Sequence, residues 1–259
     1  MNLIDLHTCI PCLPSPLRQW GEGARLRSRG RGRGFFGFSC IAFCLIFISY
    51  LSFFSSCARN TDKEQSLSQL PYYSEATFTP HWLNADDPEL EDFHRIPKFS
   101  LTNQLGETVT EETFAGKIYV ADFFFTTCPG ICMDMTKNMS LLQAAFLDYP
   151  DVLLLSHSVT PVIDSVSRLE SYGRINGVDP GRWHLVTGDR GEIYSLGREA
   201  YFVEEDLGIG RSNEEFLHTE NFVLIDQNRH IRGIYNGLKP ADIRQLIEDM
   251  TSLLDESGF

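Results

Sequence analysis

Sulfur is scarce in the C-terminal two hundred residues of this 259-residue chain. Of seven cysteines, Cys9, Cys12, Cys40, Cys44 and Cys57 all precede residue 60, and only Cys128 and Cys132 lie beyond it. Two thiols cannot build the multi-bridge framework of a small secreted scaffold, nor the four-thiolate cage of a closed zinc site. An isolated pair is what a redox or metal site needs. Cations are also few: 22 Lys and Arg face 35 Asp and Glu, for a net charge of −13. That excess argues against a nucleic-acid partner, because phosphate binding needs a basic surface. The imbalance is uneven. Residues 1–34 carry six arginines against Asp5 and Glu22, a local +4 that leaves −17 on the remainder.

Charge is missing altogether from FFGFSCIAFCLIFISYLSFFSSC, residues 35–57, directly behind the basic RLRSRGRGRG at 25–34. The run has about the ~20 apolar residues needed to cross a bilayer. Its basic flank should stay cytoplasmic, placing the rest of the chain in the cell envelope on the extracytoplasmic, periplasmic side. Two readings stay open. The run is an uncleaved transmembrane anchor, or it is a lipoprotein signal ending at Cys57, since Phe54-Ser55-Ser56-Cys57 resembles a lipobox with phenylalanine in place of leucine. Residues 1–24 do not resemble a signal-peptide start, which is consistent with translation beginning further along. Cys9-Ile10-Pro11-Cys12 has no second pair at zinc-finger spacing and is read as non-functional. Residues 58–70 are polar and aperiodic, a flexible linker that would tether a domain over 71–259 near the membrane at raised effective concentration.

Within that domain, KFSLTNQLGETVT (98–110) predicts two short strands around a turn at Asn103–Gly106. KIYVADFFFT (117–126) and DVLLLSHSVT (151–160) are near-continuous apolar runs, the mark of strands buried on both faces. Met135, Met139, Leu142 and Phe146 recur at helical spacing. Asp164 stands where an N-cap belongs, ahead of SVSRLESYGRI. WHLVTG (183–188) reads as a strand and EIYSLGREAYF (192–202) as a helix. NFVLIDQNRHIRGIYNG (221–237) reads as a hairpin turning at Gln227–Arg229. Ile243, Leu246, Ile247, Met250, Leu253 and Leu254 line one face of a last helix. The order β-α-β-α-β-α-β-β-α predicts an α/β fold, a central mixed sheet flanked by helices on both faces. Ligands of such sheets collect at the carboxyl ends of strands, and the two cysteines lie just past one such end.

Cys128-Pro-Gly-Ile-Cys132 is a CxxxC. With Cys128 as N-cap and Pro129 as first helical residue, Cys132 falls one turn on, on the same face. A helix N-terminus favours the thiolate, which is both nucleophile and metal ligand, so the spacing alone leaves disulfide exchange and metal binding equally open. A structural disulfide fits the spacing too. As a metal site, two thiolates are soft and select monovalent copper. A third ligand would be a histidine. His81 and His94 lie in the solvated leading part of the domain, and His230 in a hairpin turn. His157, at the end of a neighbouring strand, and His218, in the loop before a buried strand, have similar standing. Of the methionines near the pair, Met135 and Met139 fit the core stripe, and Met133 is unassigned.

YVADFFFTTCPGIC, then LLLSHSVTPVIDSVSRLESY, WHLVTG and FLHTENFVLIDQNRHIRGIYNG, together resemble the Sco/SenC family of thioredoxin-like assembly proteins over roughly residues 70–255. The resemblance implies a thioredoxin-like fold, a membrane anchor, and copper, as Cu(I) or Cu(II), held by Cys128, Cys132 and His218. It also implies delivery of that copper to the copper-centre subunit of cytochrome c oxidase or another envelope acceptor. The sequence departs from the family pattern in three places. Met133 stands where a second proline is usual, and Thr160-Pro161 replaces Asp-Pro. No proline immediately precedes residue 222, where thioredoxins place a cis-proline. The expectation is a membrane-tethered copper metallochaperone. The alternative is a thiol–disulfide reductase in which Cys128 attacks and Cys132 resolves.

Overall fold

Strand β3, Ile118–Phe124, shows why a chain of this pattern forms a two-faced sheet. All seven of its residues are buried, and alternate ones enter different cores. Ile118, Val120 and Phe124 belong to one, Tyr119, Ala121 and Phe123 to the other, as a pleat with period two requires. The computed structural model describes residues 69–204, 216–217 and 219–257. The apolar run at 35–57, Cys57 and His218 lie outside them. Among the described residues no helix is long and apolar enough to cross a membrane.

Strands β1 (Ser100–Asn103), β2 (Thr108–Thr110), β3, β4 (Val152–Ser158), β5 (Trp183–Thr187), β6 (Asn221–Ile225) and β7 (Ile231–Asn236) form one sheet in the order β2-β1-β5-β4-β3-β6-β7. The β3–β4 and β4–β5 pairs are parallel and the others antiparallel. This is the mixed sheet the sequence pattern predicts, with its parallel centre made of the most apolar runs. Helices α1 (Ile131–Ala145), α2 (Val166–Asn176) and α4 (Pro240–Ser257) cover one face. Met135, Met139 and Leu142 pack there with Leu246, Met250 and Leu253, all essentially without exposed surface. Short α3 (Arg190–Ser195) and the turn after it cover the other, through Ile193, Leu196, Ala200 and Tyr201.

The single helix expected over 192–202 is two pieces. Helix α3 ends at Ser195 and widens into a π turn, Leu196–Ala200. Asp164 is not the cap of α2. Ser165 is, its Oγ accepting from the Arg168 amide at 3.4 Å. Asp164 has no exposed surface and accepts from the Thr126 amide (3.1 Å) and hydroxyl, from Ser158 Oγ (2.7 Å) and from Thr160 Oγ1 (3.0 Å). A carboxylate aimed inward at so many donors leaves the cap to its neighbour.

Candidate metal and redox site

The cysteine loop leaves the carboxyl end of β3 and is held from two sides. Asp164 ties Thr126 to the end of β4. The Cys128 amide closes a turn on the Phe125 carbonyl at 3.3 Å. Cys128 does not cap the helix, which starts three residues further on. The cap is Gly130, without a side-chain bond, and α1 starts at Ile131. Cys132 is therefore in the first turn of α1 and Cys128 in the loop before it. The two side chains still act on each other, Cys132 lowering the Cys128 pKa and Cys128 raising that of Cys132. Both cysteines are free in this structure.

Their environments differ. Cys128 is half-buried and Cys132 buried. Burial pushes the Cys128 thiol up. The hydrogen bonds it receives from the Cys132 thiol and from the Cys132 and Gly130 backbone outweigh that, so it lies below an ordinary thiol. Cys132 is pushed up to about 12, first by burial and then by the proton it lends to Cys128, against a backbone hydrogen bond from Phe125. The pair is a reachable thiol of lowered pKa backed by a buried thiol of raised pKa.

His157 does not join them. It lies on β4 opposite Phe123 and stacks on that ring with centroids 4.5 Å apart, beside Tyr201 at 5.3 Å. Phe123 and Tyr201 belong to the core on one side of the sheet, and Cys132 to the core on the other. The pleat decides this: position 157 alternates away from the face that α1 covers. Burial holds the ring neutral, with a pKa near 4, its Nδ1 is 3.3 Å from the Asp122 carbonyl, and its Nε2 has no hydrogen-bond partner.

The other described histidines are likewise packed against other groups. His230 is buried ahead of β7, with Arg95 Nε donating to its Nε2 (3.3 Å) and its Nδ1 paired with the His94 carbonyl (2.8 Å). His94, expected in solvent, is half-buried against Phe202, its Nε2 2.7 Å from the Ala200 carbonyl. His81 is 3.4 Å from Ser74 Oγ, and His184 packs edge-on against Phe114. Among the described residues no three His, Cys, Asp or Glu side chains converge as a metal site. The position of His218 itself is not described, but its neighbours are. Phe216 meets Phe125 of the cysteine loop at 5.4 Å and 89°, and Leu217 and Thr219 are buried.

One acidic residue escaped the sequence reading. Asp122, in the middle of β3, is 2% exposed, with Ser156 Oγ, itself bonded to Trp183 Nε1 at 2.8 Å, as its partner. Burial raises its pKa to about 7 against the opposing Ser156 hydrogen bond, and its charge acts on Cys132 and on Tyr172. Tyr172 in turn bonds Thr136 at 2.7 Å, one turn along α1 from Cys132. The signal was available: a lone carboxylate inside an apolar strand must find a buried partner or stay protonated.

Comparison with known proteins bears on this geometry. The SCO1/SenC family model matches residues 88–255. A SCO1 protein homolog of Bacillus subtilis (strain 168) is 27% identical over 163 residues, 61% of this chain and 82% of its own. The structure of a SCO1/SenC family lipoprotein from Bacillus anthracis str. Ames superposes with a TM-score of 0.54 at 31% identity, covering 62% of this chain and 95% of its own. BsSco, described as a member of the Sco family of cytochrome c oxidase assembly proteins and as carrying a disulfide switch, does so at 0.53 and 26% identity, over 62% and 93%. The central mixed sheet flanked by helices is thus the thioredoxin-like fold of these proteins.

Proposed function

Starting from the fact that the chain belongs to the SCO1/SenC family, we propose that it is a copper metallochaperone acting in cytochrome c oxidase assembly. Cys128, Cys132 and His218 hold one copper ion, and the cargo passes by ligand exchange to a copper-acceptor protein. The observation that carries the reading is the thiol pair itself. Two free cysteines, one half-buried and one buried, follow the end of a buried strand and influence each other's ionisation. Loss of both protons to a soft cation turns the pair into two thiolate ligands. The Phe216–Phe125 contact brings the chain just ahead of His218 against the same loop.

The experiment is a copper titration of the full-length chain with Cys9, Cys12, Cys40, Cys44 and Cys57 replaced by serine, so that only the pair of interest offers thiols. One copper per chain is expected. Cys128→Ser and Cys132→Ser should abolish tight binding, and His218→Ala should weaken it at least tenfold. Undiminished affinity in His218→Ala would remove that residue from the ligand set.

The split between the two thiols supports a second activity, reduction of an acceptor disulfide. The Cys128 thiolate attacks one sulfur, the acceptor S–S bond breaks, and the departing thiolate takes a proton. Cys132 then loses its proton and attacks Cys128 in the mixed disulfide, releasing the second acceptor thiol. Two electrons leave the pair, which ends as a Cys128–Cys132 disulfide. The disulfide switch described for BsSco is in keeping with this. For location, we assign residues 35–57 to an envelope anchor, with lipidation at Cys57 as the variant that the B. anthracis lipoprotein favours. Metabolic labelling with a fatty acid, lost in Cys57→Ser, separates the two.

A further inference from the structure

The chain on both sides of His218 is gripped by one short segment, the π turn and the residues after it. Leu217 has no exposed surface and sits on Gly197. A Cβ at Gly197 would lie 2.8 Å from Leu217 Cδ1 and 3.1 Å from Phe123 Cε1, closer than packed carbons tolerate, so the missing side chain is what lets Leu217 seat. The π turn also fixes the backbone through Val203. The Tyr201 amide bonds the Leu196 carbonyl at 2.8 Å and the Val203 amide the Gly197 carbonyl at 3.0 Å. The Val203 carbonyl then accepts from Thr219 Oγ1 at 2.7 Å and from Asn221 Nδ2 at 2.9 Å. Thr219 Oγ1 also accepts from the Asn221 amide at 3.0 Å, so it is fixed from both directions.

Resting on the reading that His218 is the third ligand, we propose that this π turn, through Gly197, is the positioning element for that ligand: it seats Leu217 and Thr219, the neighbours on either side of it. The feature is unusual enough to need a reason, since π turns interrupt regular hydrogen bonding and recur at functional sites. Phe123 completes the seat. Its ring touches the Gly197 position, and its strand carries the cysteine loop at its end. Ligands arriving from two remote segments are thereby referred to one rigid strand, which a metal site demands of its supporting residues.

The test uses the same full-length chain with serine at the five N-terminal cysteine positions. Cu(I) affinity is read by competition with a chromophoric Cu(I) chelator, and the thiolate-to-copper charge-transfer band is read on the Cu(II) form. Gly197→Ala should lower affinity at least tenfold and move the band toward that of His218→Ala. Adding Leu217→Val, which vacates the space the new methyl needs, should restore both. In a His218→Ala background, Gly197→Ala should change nothing further. Wild-type affinity and band in folded Gly197→Ala would overturn the proposal, as would an equal further loss without His218. Should Gly197→Ala fail to fold, Thr219→Val carries the same comparison: a several-fold loss confined to chains that keep His218 supports the seat, and no loss overturns it. If His218→Ala alone binds copper normally, the ligand assignment itself falls; if only the seat variants do, the assignment stands and the seat does not.

Discussion

Phe125 and Phe216 meet edge to face, ring centroids 5.4 Å apart at 89°, and so join the loop that carries Cys128 to the segment that precedes His218. Phe125 is also the residue whose carbonyl receives the Cys128 amide and whose backbone bonds Cys132. One residue therefore organises the sulfurs through its main chain and the distant segment through its ring.

Such an edge-to-face pair contributes about 0.5–1.5 kcal/mol beyond the area it buries. Phe216→Ala should therefore weaken copper binding several-fold, and a double-mutant cycle with Phe125→Ala should return a coupling of that order. Strict additivity of the two losses in copper affinity would show that the rings do not link the two halves of the site.

The two thiols should be separable by chemistry. At pH 7, Cys128 is expected to react with iodoacetamide much faster than Cys132, because only the former is held below the ordinary thiol value. Cys132→Ala removes a donor to the Cys128 sulfur, so the pH midpoint of Cys128 alkylation should rise. Peptide mapping of the labelled chain reads both. Equal labelling of the two sulfurs would contradict the asymmetry.

Asp122 and His157 should push the pH dependence of stability in opposite directions. Asp122 has a folded pKa of about 7 against 3.8 unfolded, so its protonated form favours folding below pH 3.8 and that benefit is lost as pH rises through 7. The span is worth about 4 kcal/mol. His157 has a folded pKa of about 4 against 6.5 unfolded, so its contribution is present above 6.5 and lost as pH falls through 4, about 3 kcal/mol in all. Between pH 4 and 7 the two nearly cancel. Urea unfolding of Asp122→Asn should lose stability on acidification over that window, and His157→Phe should gain it. Parallel profiles for the two variants would refute the assignment of these groups.

Asp164→Ala should be severe. It strands the Thr126, Ser158 and Thr160 hydroxyls, and a loss of roughly 3 kcal/mol or more is expected from breaking several hydrogen bonds to one buried side chain. Thermal unfolding measures it. A milder loss, under about 1 kcal/mol, would show that the loop at Thr126 is held mainly by its own turn.

The apolar runs of β3 and β4, the methionine stripe of α1 and the terminal helix were legible because period two and period 3.6 are local properties of the chain. So was the placing of Cys128 and Cys132 just past the end of a buried strand, since the apolar run before them is itself local. Other features depended on contacts distant in sequence. Whether Asp164 or Ser165 caps α2 turned on donors that β4 and the cysteine loop bring to Asp164. His157 and His218 looked alike along the chain until the family resemblance favoured His218, and the sheet sends His157 to the face away from Cys132. The sequence by itself determined the sheet, its helices and the sulfur pair, because burial periodicity and residue chemistry are written locally. Only the tertiary structure decided which thiol ionises first, that Asp122 shares its buried layer, and that Gly197 and Leu217 interlock. Those depend on distances between side chains that the chain must fold to bring together.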